Sequence, residues 1–466
     1  MFSYMNKTRM CCIVLLCCTF FLPVSWAVDG QIDILPDGTT PCVISQPGSY
    51  VLVDNIMMTA DVDCIQINAN DVTLDMNGHS LTGLGFRSGS SVGIRSLQHR
   101  TRVFNGSVYF FGGNGIELKE EAMVTDVRSC GNGSNGIKIG NHGTVSRCIA
   151  TMNTDRGNAA GILAGKYCVV KDCIANANTS TNAQAFEIWG IKTGDSCRIE
   201  GNTASMNSNL STNMNVTGIS AGENCSIIRN ICNSNESIRG VVGIGSMTGG
   251  NILQNICSNN KSVEATVIGI STGSDSVIGN NTCESNYGKD AFGIYVMTGN
   301  VFGNVCSFNN ATSGSCVGIG CVSAIVERNT CDSNRSYGDT SNATGILCGG
   351  KNCRVTNNSC SNNTSTGGDQ ATGKGTGIQL YDFRNWNDAS LIESNSCMNN
   401  TSYGIHIQSG TGHQIVGNRL SGNRSRAIKV DTAGNYYAAN IYQTAEGLDI
   451  AAGNTAGTVP GANTGY

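Results

Sequence analysis

Two or three apolar positions at a time alternate with polar ones along most of the chain, and Asn or Gly separates one run from the next. Ile219 and Ala221, for example, flank Ser220, and Ile227 precedes a turn at Asn230. Alternation with a period of two, interrupted by Asn and Gly corners, predicts short β-strands. The 3.6-residue apolar stripe that would predict helices is missing after residue 27.

A Gly-Ile pair returns thirteen times, with gaps of 21 to 32 residues between successive isoleucines. Repeats of this length predict a solenoid, in which each unit packs only on its neighbours. The frames of leucine-rich repeats and calcium-binding nonapeptide repeats are absent, and the unit is too short for a propeller blade. The repeated isoleucines are Ile94, Ile116, Ile137, Ile162, Ile191, Ile219, Ile244, Ile270, Ile294, Ile319, Ile346, Ile378 and Ile405.

A second signature, Asn-x-Cys-x-x-Asn, begins 11 to 13 residues after most of these glycines. Strands stacked about 4.8 Å apart place equivalent side chains in ladders. Asparagine tolerates left-handed turns, and its amide can bond to the copies above and below it. We therefore predict an asparagine ladder formed by Asn230, Asn255, Asn281, Asn304, Asn329, Asn358, Asn395 and Asn418.

The stretch from Pro47 to Gly83 and the repeated GN-x-C/L-x-x-N…GI unit resemble the right-handed parallel β-helix proteins of the pectate-lyase-like superfamily. The resemblance covers about residues 30 to 445. It implies an all-β, right-handed, single-stranded parallel β-helix of about 13 or more coils with N- and C-terminal caps. Such families include polysaccharide lyases, polygalacturonases, uronate epimerases and exported proteins without known activity, so the fold alone implies no particular chemistry.

The first 27 residues have the features of a secretory signal peptide. Lys7 and Arg9 precede a short apolar run that ends in Ser25-Trp26-Ala27, and that run is shorter than a membrane helix requires. We expect cleavage after Ala27 and a secreted, periplasmic or cell-surface protein without a membrane span. The other predicted divisions are an N-terminal cap with the first coils (28–90), the repeats (91–430) and a C-terminal cap with a loose tail (431–466).

After residue 27 the chain keeps 27 basic and 33 acidic residues, a net charge of −6. Such a chain has no basic face to neutralise phosphates, so a nucleic-acid partner is not expected. Nineteen cysteines remain, and we favour a row of buried thiols at one coil position, with disulfides left open for pairs such as Cys321 and Cys348. We expect no metal site and no cofactor, because Cys-x-x-Cys pairs and His clusters are absent. The row comprises Cys232, Cys257, Cys283, Cys306, Cys331, Cys360 and Cys397.

The residue after each Gly-Ile pair should point outward, and this column carries the first candidate chemistry. Glu117, Lys138 and Lys192 could together hold a uronate carboxylate, with Glu117 contacting the ligand and a lysine acting as base. The favoured alternative is a solvated face whose charges pair with one another. His406 is the candidate base of the C-terminal coils, with Asp382 as its candidate partner.

The longest coil carries the candidate ligand loop. Aromatic rings beside carboxylate and guanidinium groups suit sugars, because the ring stacks on C–H faces while polar groups take hydroxyls. The predicted ligand-binding residues of this loop are Tyr381, Asp382, Arg384, Trp386 and Asp388.

Three functions stay open. The first is an exported β-helix that binds a polysaccharide or cell-surface glycan, or is surface-associated, without turnover. The second is a polysaccharide lyase or glycoside hydrolase acting on acidic glycans, and the third is a structural surface rod or adhesin. The Asp-Asp and Gly-His-Gly motifs of polygalacturonases are missing, which favours the first or third function over an enzyme. The oligomeric state is left open.

Overall fold

The computed structural model describes residues 30–86, 89–155, 159–180, 187–209, 214–338, 341–366, 374–381, 389–443, 447–457 and 464–465. These residues form parallel β-strands and turns, stacked as a solenoid of about 15 turns. The predicted all-β parallel β-helix is therefore confirmed. Within the same ranges, no helix has the length and apolar character needed to cross a membrane. Residues 1–27 lie outside the described residues, so cleavage after Ala27 stays a prediction.

The first face of the solenoid carries the Gly-Ile pairs. Ile219 lies opposite Ile244 and Ser220 opposite Gly245, so the repeats stack in one column as predicted. The first-face strands are Cys42–Ile44, Ile65–Ile67, Ile94–Ser96, Ile116–Glu117, Ile137–Ile139, Ala159–Ala164, Glu187–Thr193, Asn215–Ala221, Val241–Ser246, Val267–Thr272, Ala291–Phe302, Cys316–Glu327, Asn342–Cys348, Lys374–Leu380, Tyr403–Ile407, Arg426–Val430 and Leu448–Ile450.

The second face follows the first in each coil, and two long first-face strands, Ala291–Phe302 and Cys316–Glu327, continue into it. Its own strands are Gln31–Ile34, Gly48–Leu52, Val72–Asp75, Arg102–Tyr109, Met123–Cys130, Thr144–Ser146, Val169–Lys171, Arg198–Glu200, Ser226–Ile228, Asn251–Leu253, Ser276–Gly279, Arg354–Thr356, Leu391–Glu393, Gln414–Val416, Tyr436–Ala438 and Thr455–Ala456.

The third face is built from short strands and from single-residue bridges such as that between Ile231 and Ile256. Its strands are Ile56–Met57, Ser80–Thr82, Ile149–Thr151, Ser396–Met398, Arg419–Ser421, Ile441–Tyr442 and Thr464–Gly465. A separate sheet of two-residue strands closes many of the coils. It comprises Thr154–Asp155, Thr179–Ser180, Ser208–Asn209, Glu236–Ser237, Lys261–Ser262, Tyr287–Gly288, Asn310–Ala311, Arg335–Ser336 and Thr364–Ser365.

Close packing between coils explains why glycine precedes each repeated isoleucine. All thirteen isoleucines are fully buried. A Cβ atom added to Gly318 would lie 2.6 Å from the carbonyl oxygen of Gly345 and 2.9 Å from the Cβ of Cys331. A side chain at this position would therefore overlap both the next coil and the cysteine row. The narrow interior accordingly takes a small residue, cysteine or alanine, at most coils.

The predicted asparagine ladder is confirmed. The side-chain amide of Asn255 donates to Oδ1 of Asn281 at 3.0 Å and to the carbonyl of Ile227 at 2.9 Å, and its backbone N–H donates to the same Oδ1 at 2.8 Å. Each member thus links three coils and satisfies buried backbone groups that no strand pairing reaches. A second ladder of the same kind runs through Asn132, Asn153, Asn178, Asn207, Asn235, Asn260, Asn286, Asn309, Asn334, Asn363, Asn400 and Asn423.

The left-handed residue of each corner precedes the ladder asparagine. Arg229 has φ 56° and Gln254 has φ 59°, directly before Asn230 and Asn255. Asn230 and Asn255 themselves do not adopt the left-handed conformation. Asparagine is needed here for its side-chain amide, while the preceding residue turns the chain.

The strands continue past residue 430. Ile428 pairs with Ile405 on one side and Leu448 on the other, although alanine replaces the glycine at position 427. The side chain of Asn418 donates to Oδ1 of Asn440 at 3.0 Å, so the first ladder continues with the strands. This continuation places Asp431 beside the last Gly-Ile coil.

The cysteines of the predicted row have no exposed surface. The described cysteines carry free thiols in this structure, and Cys321 Sγ lies 3.3 Å from Cys348 Sγ. Burial accounts for the preference for cysteine at the row, since a thiol fills the space of a small apolar side chain. The chemical state of the thiols in the isolated protein stays a prediction.

Candidate functional site

A groove runs along the outside of the first face in the C-terminal half of the solenoid. It consists of two adjoining cavities of about 570 and 390 Å³, and both are lined by Asn342, Gln379 and Gln408. The groove spans the coils from Thr266 to Asp431. Six coil rises of about 4.8 Å give it a length of roughly 29 Å, which suits an extended ligand. We call it the C-terminal groove.

The larger cavity combines apolar and amide groups. Phe292, Val317, Leu347 and Tyr381 line it, and the Tyr381 side chain is 37% exposed. Gln379 is held in place from both sides: the Thr344 hydroxyl donates to its Oε1 at 3.4 Å, and its Nε2 donates to Gln408 Oε1 at 2.9 Å. A firmly held amide beside the exposed ring of Tyr381 suits hydroxyl recognition.

Asn342 lines both cavities and leaves an acceptor in the wall of the groove. Its side-chain Oδ1 is buried and has no hydrogen-bond partner in this structure. A buried polar atom without a partner costs about 1–3 kcal/mol, and a donor on a ligand could pair with this oxygen only if the Asn342 side chain turned toward the groove.

The smaller cavity holds a compact cluster of titratable groups. His406 Nε2 lies 2.7 Å from Asp431 Oδ2, and Lys429 Nζ lies 3.2 Å from Asp431 Oδ1. The Tyr403 ring centroid lies 4.8 Å from that of His406, and Lys429 Nζ lies 5.4 Å from the Tyr403 ring. His406 and Lys429 are register partners on adjacent coils, so the column itself brings them together.

Burial and the local charges set the protonation of this cluster. Burial lowers the pKa of His406 below its ordinary value of 6.5, although the hydrogen bond to Asp431 opposes the shift. Burial also opposes ionisation of Asp431 and Lys429, but their hydrogen bonds and mutual attraction lower the pKa of Asp431 and raise that of Lys429. His406 is therefore neutral at pH 7. Because the Asp431 carboxylate only accepts, the ring carries its proton on Nε2 and leaves Nδ1 as an acceptor.

The N-terminal charged residues of the same column pair with one another. Glu117 receives Lys138 Nζ at 2.9 Å and Arg95 Nη1 at 3.3 Å, and Arg95 Nε lies 2.6 Å from Asp63 Oδ2. The side-chain amide of Asn114 donates to Glu117 at 3.0 Å. The ammonium of Lys138 is thus engaged with a carboxylate, which is the self-paired face that the sequence favoured. We call these residues the N-terminal charged strip.

Lys192 lies apart from that strip. Leu163 separates it from Lys138 in the column, and its ammonium lies 3.6 Å from the centroid of the Trp189 ring. Burial lowers the pKa of Lys192, partly offset by the charge of Glu187. The three groups proposed to hold a uronate therefore do not converge.

Two predicted site residues, Tyr381 and His406, lie on the C-terminal groove. Asp382, Arg384, Trp386 and Asp388 lie outside the described residues, so their part in a ligand site stays a prediction. Sequence reasoning missed Tyr403, Lys429 and Asp431. Lys429 follows Ala427-Ile428, and extending the column to a pair with alanine in place of glycine would have found it.

Neither a family model nor a curated protein matches the chain. Among solved structures, the chain is similar to the A-module of a mannuronan C-5 epimerase from Azotobacter vinelandii, at 10% identity and TM-score 0.24 over 90% of this chain and 91% of that chain. It is also similar to the catalytic domain of a GH87 α-1,3-glucanase in complex with nigerose, at 14% identity and TM-score 0.20 over 93% of this chain and 68% of that one. TM-scores this low carry no functional information, so function is inferred from this chain's own residues.

Proposed function

We propose that this protein is exported and binds a polysaccharide along the C-terminal groove without turning it over. The supporting observation is the groove itself, which runs roughly 29 Å along the first face and is lined by one exposed and two partly buried aromatic rings, amides and a few charges. Export rests on the sequence features of residues 1–27.

The lining of the groove favours sugars over other extended ligands. Tyr381 offers a ring face for C–H groups, and Gln379 and Gln408 offer amides that hydrogen-bond hydroxyls. A rod whose role is purely structural needs no such lining, so the groove favours binding over the adhesin or spacer alternative.

Co-sedimentation of the purified protein with acidic and neutral polysaccharides tests the proposal. We expect retention by at least one polysaccharide class, and we expect Tyr381→Ala to weaken it about tenfold or more, because aromatic anchors carry much of the binding energy. Tyr167→Ala is the matched control, since Tyr167 is 56% exposed and stacks on His142 away from the groove. Equal retention of both variants and the unmodified protein would show that the polysaccharide does not bind in the C-terminal groove.

A lyase acting on acidic glycans is the second candidate, and the cluster in the smaller cavity favours it. Neutral His406 can take a proton through Nδ1 while Asp431 holds its ring. Lys429 can neutralise a uronate carboxylate, and the Tyr403 hydroxyl can protonate a leaving oxygen. The elimination would move the sugar proton to His406 and leave a double bond on the new non-reducing end.

Ultraviolet absorbance of unsaturated uronates, followed with the same polysaccharide panel, separates the two candidates. A lyase should release absorbing product, and His406→Gln should abolish release while weakening retention only about fivefold. Retention without product supports binding alone. If the protein neither retains nor cleaves any polysaccharide of the panel, the proposed function is wrong.

A further inference from the structure

Three buried thiols converge at the inner corner between the first and second faces. Cys321 and Cys348 are register partners on adjacent coils, and Cys353 directly precedes the second-face strand Arg354–Thr356 of the same coil as Cys348. The three sulfur atoms lie within 4.8 Å of one another, and Cys321 Sγ and Cys348 Sγ are 3.3 Å apart. Their residues are 4%, 1% and 1% exposed in chain order.

This convergence differs from the stacking of the other cysteines. In a straight row with one thiol per coil, the first and third members are two rises, or roughly 9.6 Å, apart. Three row thiols therefore cannot surround one ion. Across the described parts of the chain, the Cys321, Cys348 and Cys353 cluster is the one set of three Cys, His, Asp or Glu ligand atoms found at such mutual distances.

We propose that Cys321, Cys348 and Cys353 form a three-coordinate site for a soft monovalent ion, Cu(I). Thiolates select soft ions, and a site of three sulfurs suits Cu(I), whereas structural zinc takes four ligands. Each thiol that binds gives up its proton to solvent. The site is separate from the C-terminal groove and does not depend on the proposed function.

A disulfide between Cys321 and Cys348 is the main competing state. Register partners in parallel strands carry their Cβ atoms side by side, whereas a disulfide requires a Cβ–S–S–Cβ dihedral of about 90°. Cys353 also has no role in that bridge, although its sulfur lies with the other two. Metal binding uses all three thiols. Cys348 and Cys353 lie at the two ends of the turn 349–352, in which Lys351 and Asn352 are exposed to solvent.

The chain offers a conservative variant and a matched control. Ser390 occupies the position of Cys353 in the next coil, where its hydroxyl accepts from the Cys353 N–H at 3.1 Å, so Cys353→Ser should fold. Cys225 occupies the same corner position several coils earlier, and its sulfur accepts from the Cys197 N–H at 3.3 Å. Cys225→Ser therefore makes the same exchange in the same environment without touching the cluster.

The test is an anaerobic titration of the reduced full-length protein with Cu(I) against a coloured Cu(I) chelator. We expect the protein to withhold one ion per chain from the chelator, and we expect Cys353→Ser to weaken this binding about 100-fold or more, since even outer-shell partners contribute about 10- to 100-fold. Cys225→Ser should bind as the unmodified protein does, and circular dichroism should show both variants folded.

Three results would overturn the assignment. One is failure of the folded, reduced protein to withhold Cu(I) from the chelator. Another is equal Cu(I) affinity of Cys353→Ser, Cys225→Ser and the unmodified protein, which would place the ion on other thiols. The third is a Cys321–Cys348 disulfide, found by peptide mass mapping of protein purified without reductant.

Discussion

The N-terminal charged strip and the C-terminal groove occupy the same outward column of the same face, yet they differ in what surrounds their charges. In the strip, the Glu117 carboxylate forms ion pairs with Arg95 and Lys138 and accepts a hydrogen bond from Asn114. In the groove, His406 and Lys429 share Asp431, and a cavity of about 390 Å³ lies alongside. Charge in the column therefore does not by itself make a site.

The difference lies in the lining that adjoins each set of charges. The strip borders a cavity of about 320 Å³ lined mainly by small residues, such as Gly112, Gly113 and Ser90. The groove adds Tyr381, Gln379 and Tyr403, which come from the same or adjacent coils. These extra groups are the basis on which we propose recognition for the groove and stability for the strip.

The largest expected effect is a loss of stability when the N-terminal charged strip is disrupted. Glu117→Gln should lower the free energy of unfolding by about 2 kcal/mol, because Arg95 and Lys138 lose the half-buried carboxylate that both contact. Urea unfolding measures the change. Glu223→Gln makes the same exchange at an exposed glutamate and should stay within about 0.5 kcal/mol of the unmodified protein. A Glu117 variant as stable as that control would show that the strip contributes nothing.

The second effect, which is smaller, is on recognition. His406→Gln should reduce polysaccharide retention about fivefold, because the variant loses the ring that lines the smaller cavity beside Tyr403. Its unfolding free energy should change by less than about 1 kcal/mol, since Asp431 keeps Lys429 as a partner. Glu117→Gln should leave retention unchanged. If the two variants exchanged these effects, the division of roles between strip and groove would be wrong.

The smallest effect separates the two regions by pH. The pKa of His406 is below its ordinary value of 6.5 in the folded chain, so unfolding takes up a proton and stability falls as the pH drops below 6.5. Burial opposes ionisation of Glu117, but Lys138, Asn114 and Arg95 lower its pKa below 4.5, so its contribution is present above 4.5 and lost as the pH falls further.

Urea midpoints measured from pH 8 to pH 3 would resolve these two windows, the pH limits being set about one and a half units beyond the ordinary values. His406→Gln should flatten the decline just below 6.5 and leave the acidic decline in place. Glu117→Gln should weaken the decline below 4.5 and leave the upper one unchanged. A His406 variant with the same profile as the unmodified protein would contradict burial of a neutral ring.

The repeat could be predicted from the sequence because equivalent residues pack in the same way in every coil. Ile244 and Ile270 fill equivalent spaces, and Gly243 must lack a side chain because the Gly269 carbonyl oxygen would lie 2.5 Å from its Cβ. The ladder through Asn255 and Asn281 follows from the same repetition. A periodic sequence therefore reveals a periodic structure.

Only part of the candidate site could be predicted from the sequence. His406 and Tyr381 stand out in the sequence, but Asp431 follows an Ala-Ile pair, so a search for Gly-Ile pairs does not reach its coil. Its position beside His406 depends on the turn that follows Arg426–Val430, where the Asp431 N–H donates to the Ile407 carbonyl at 2.9 Å. The same bond recurs between other coils, as between the Gln408 N–H and the Leu380 carbonyl at 3.0 Å, so the backbone position repeats and only the carboxylate is particular to this coil.

The sequence by itself determined the solenoid, its inward isoleucine column, its first asparagine ladder and the outward column on which both charged regions stand, because these depend only on the coil period. The tertiary structure decided which charges neutralise one another, where a groove opens, and that Cys353 joins Cys321 and Cys348. These features depend on distances across corners and between coils of unequal length. A repeat pattern carries no information on such distances, since they are set by where each turn returns the chain to the stack.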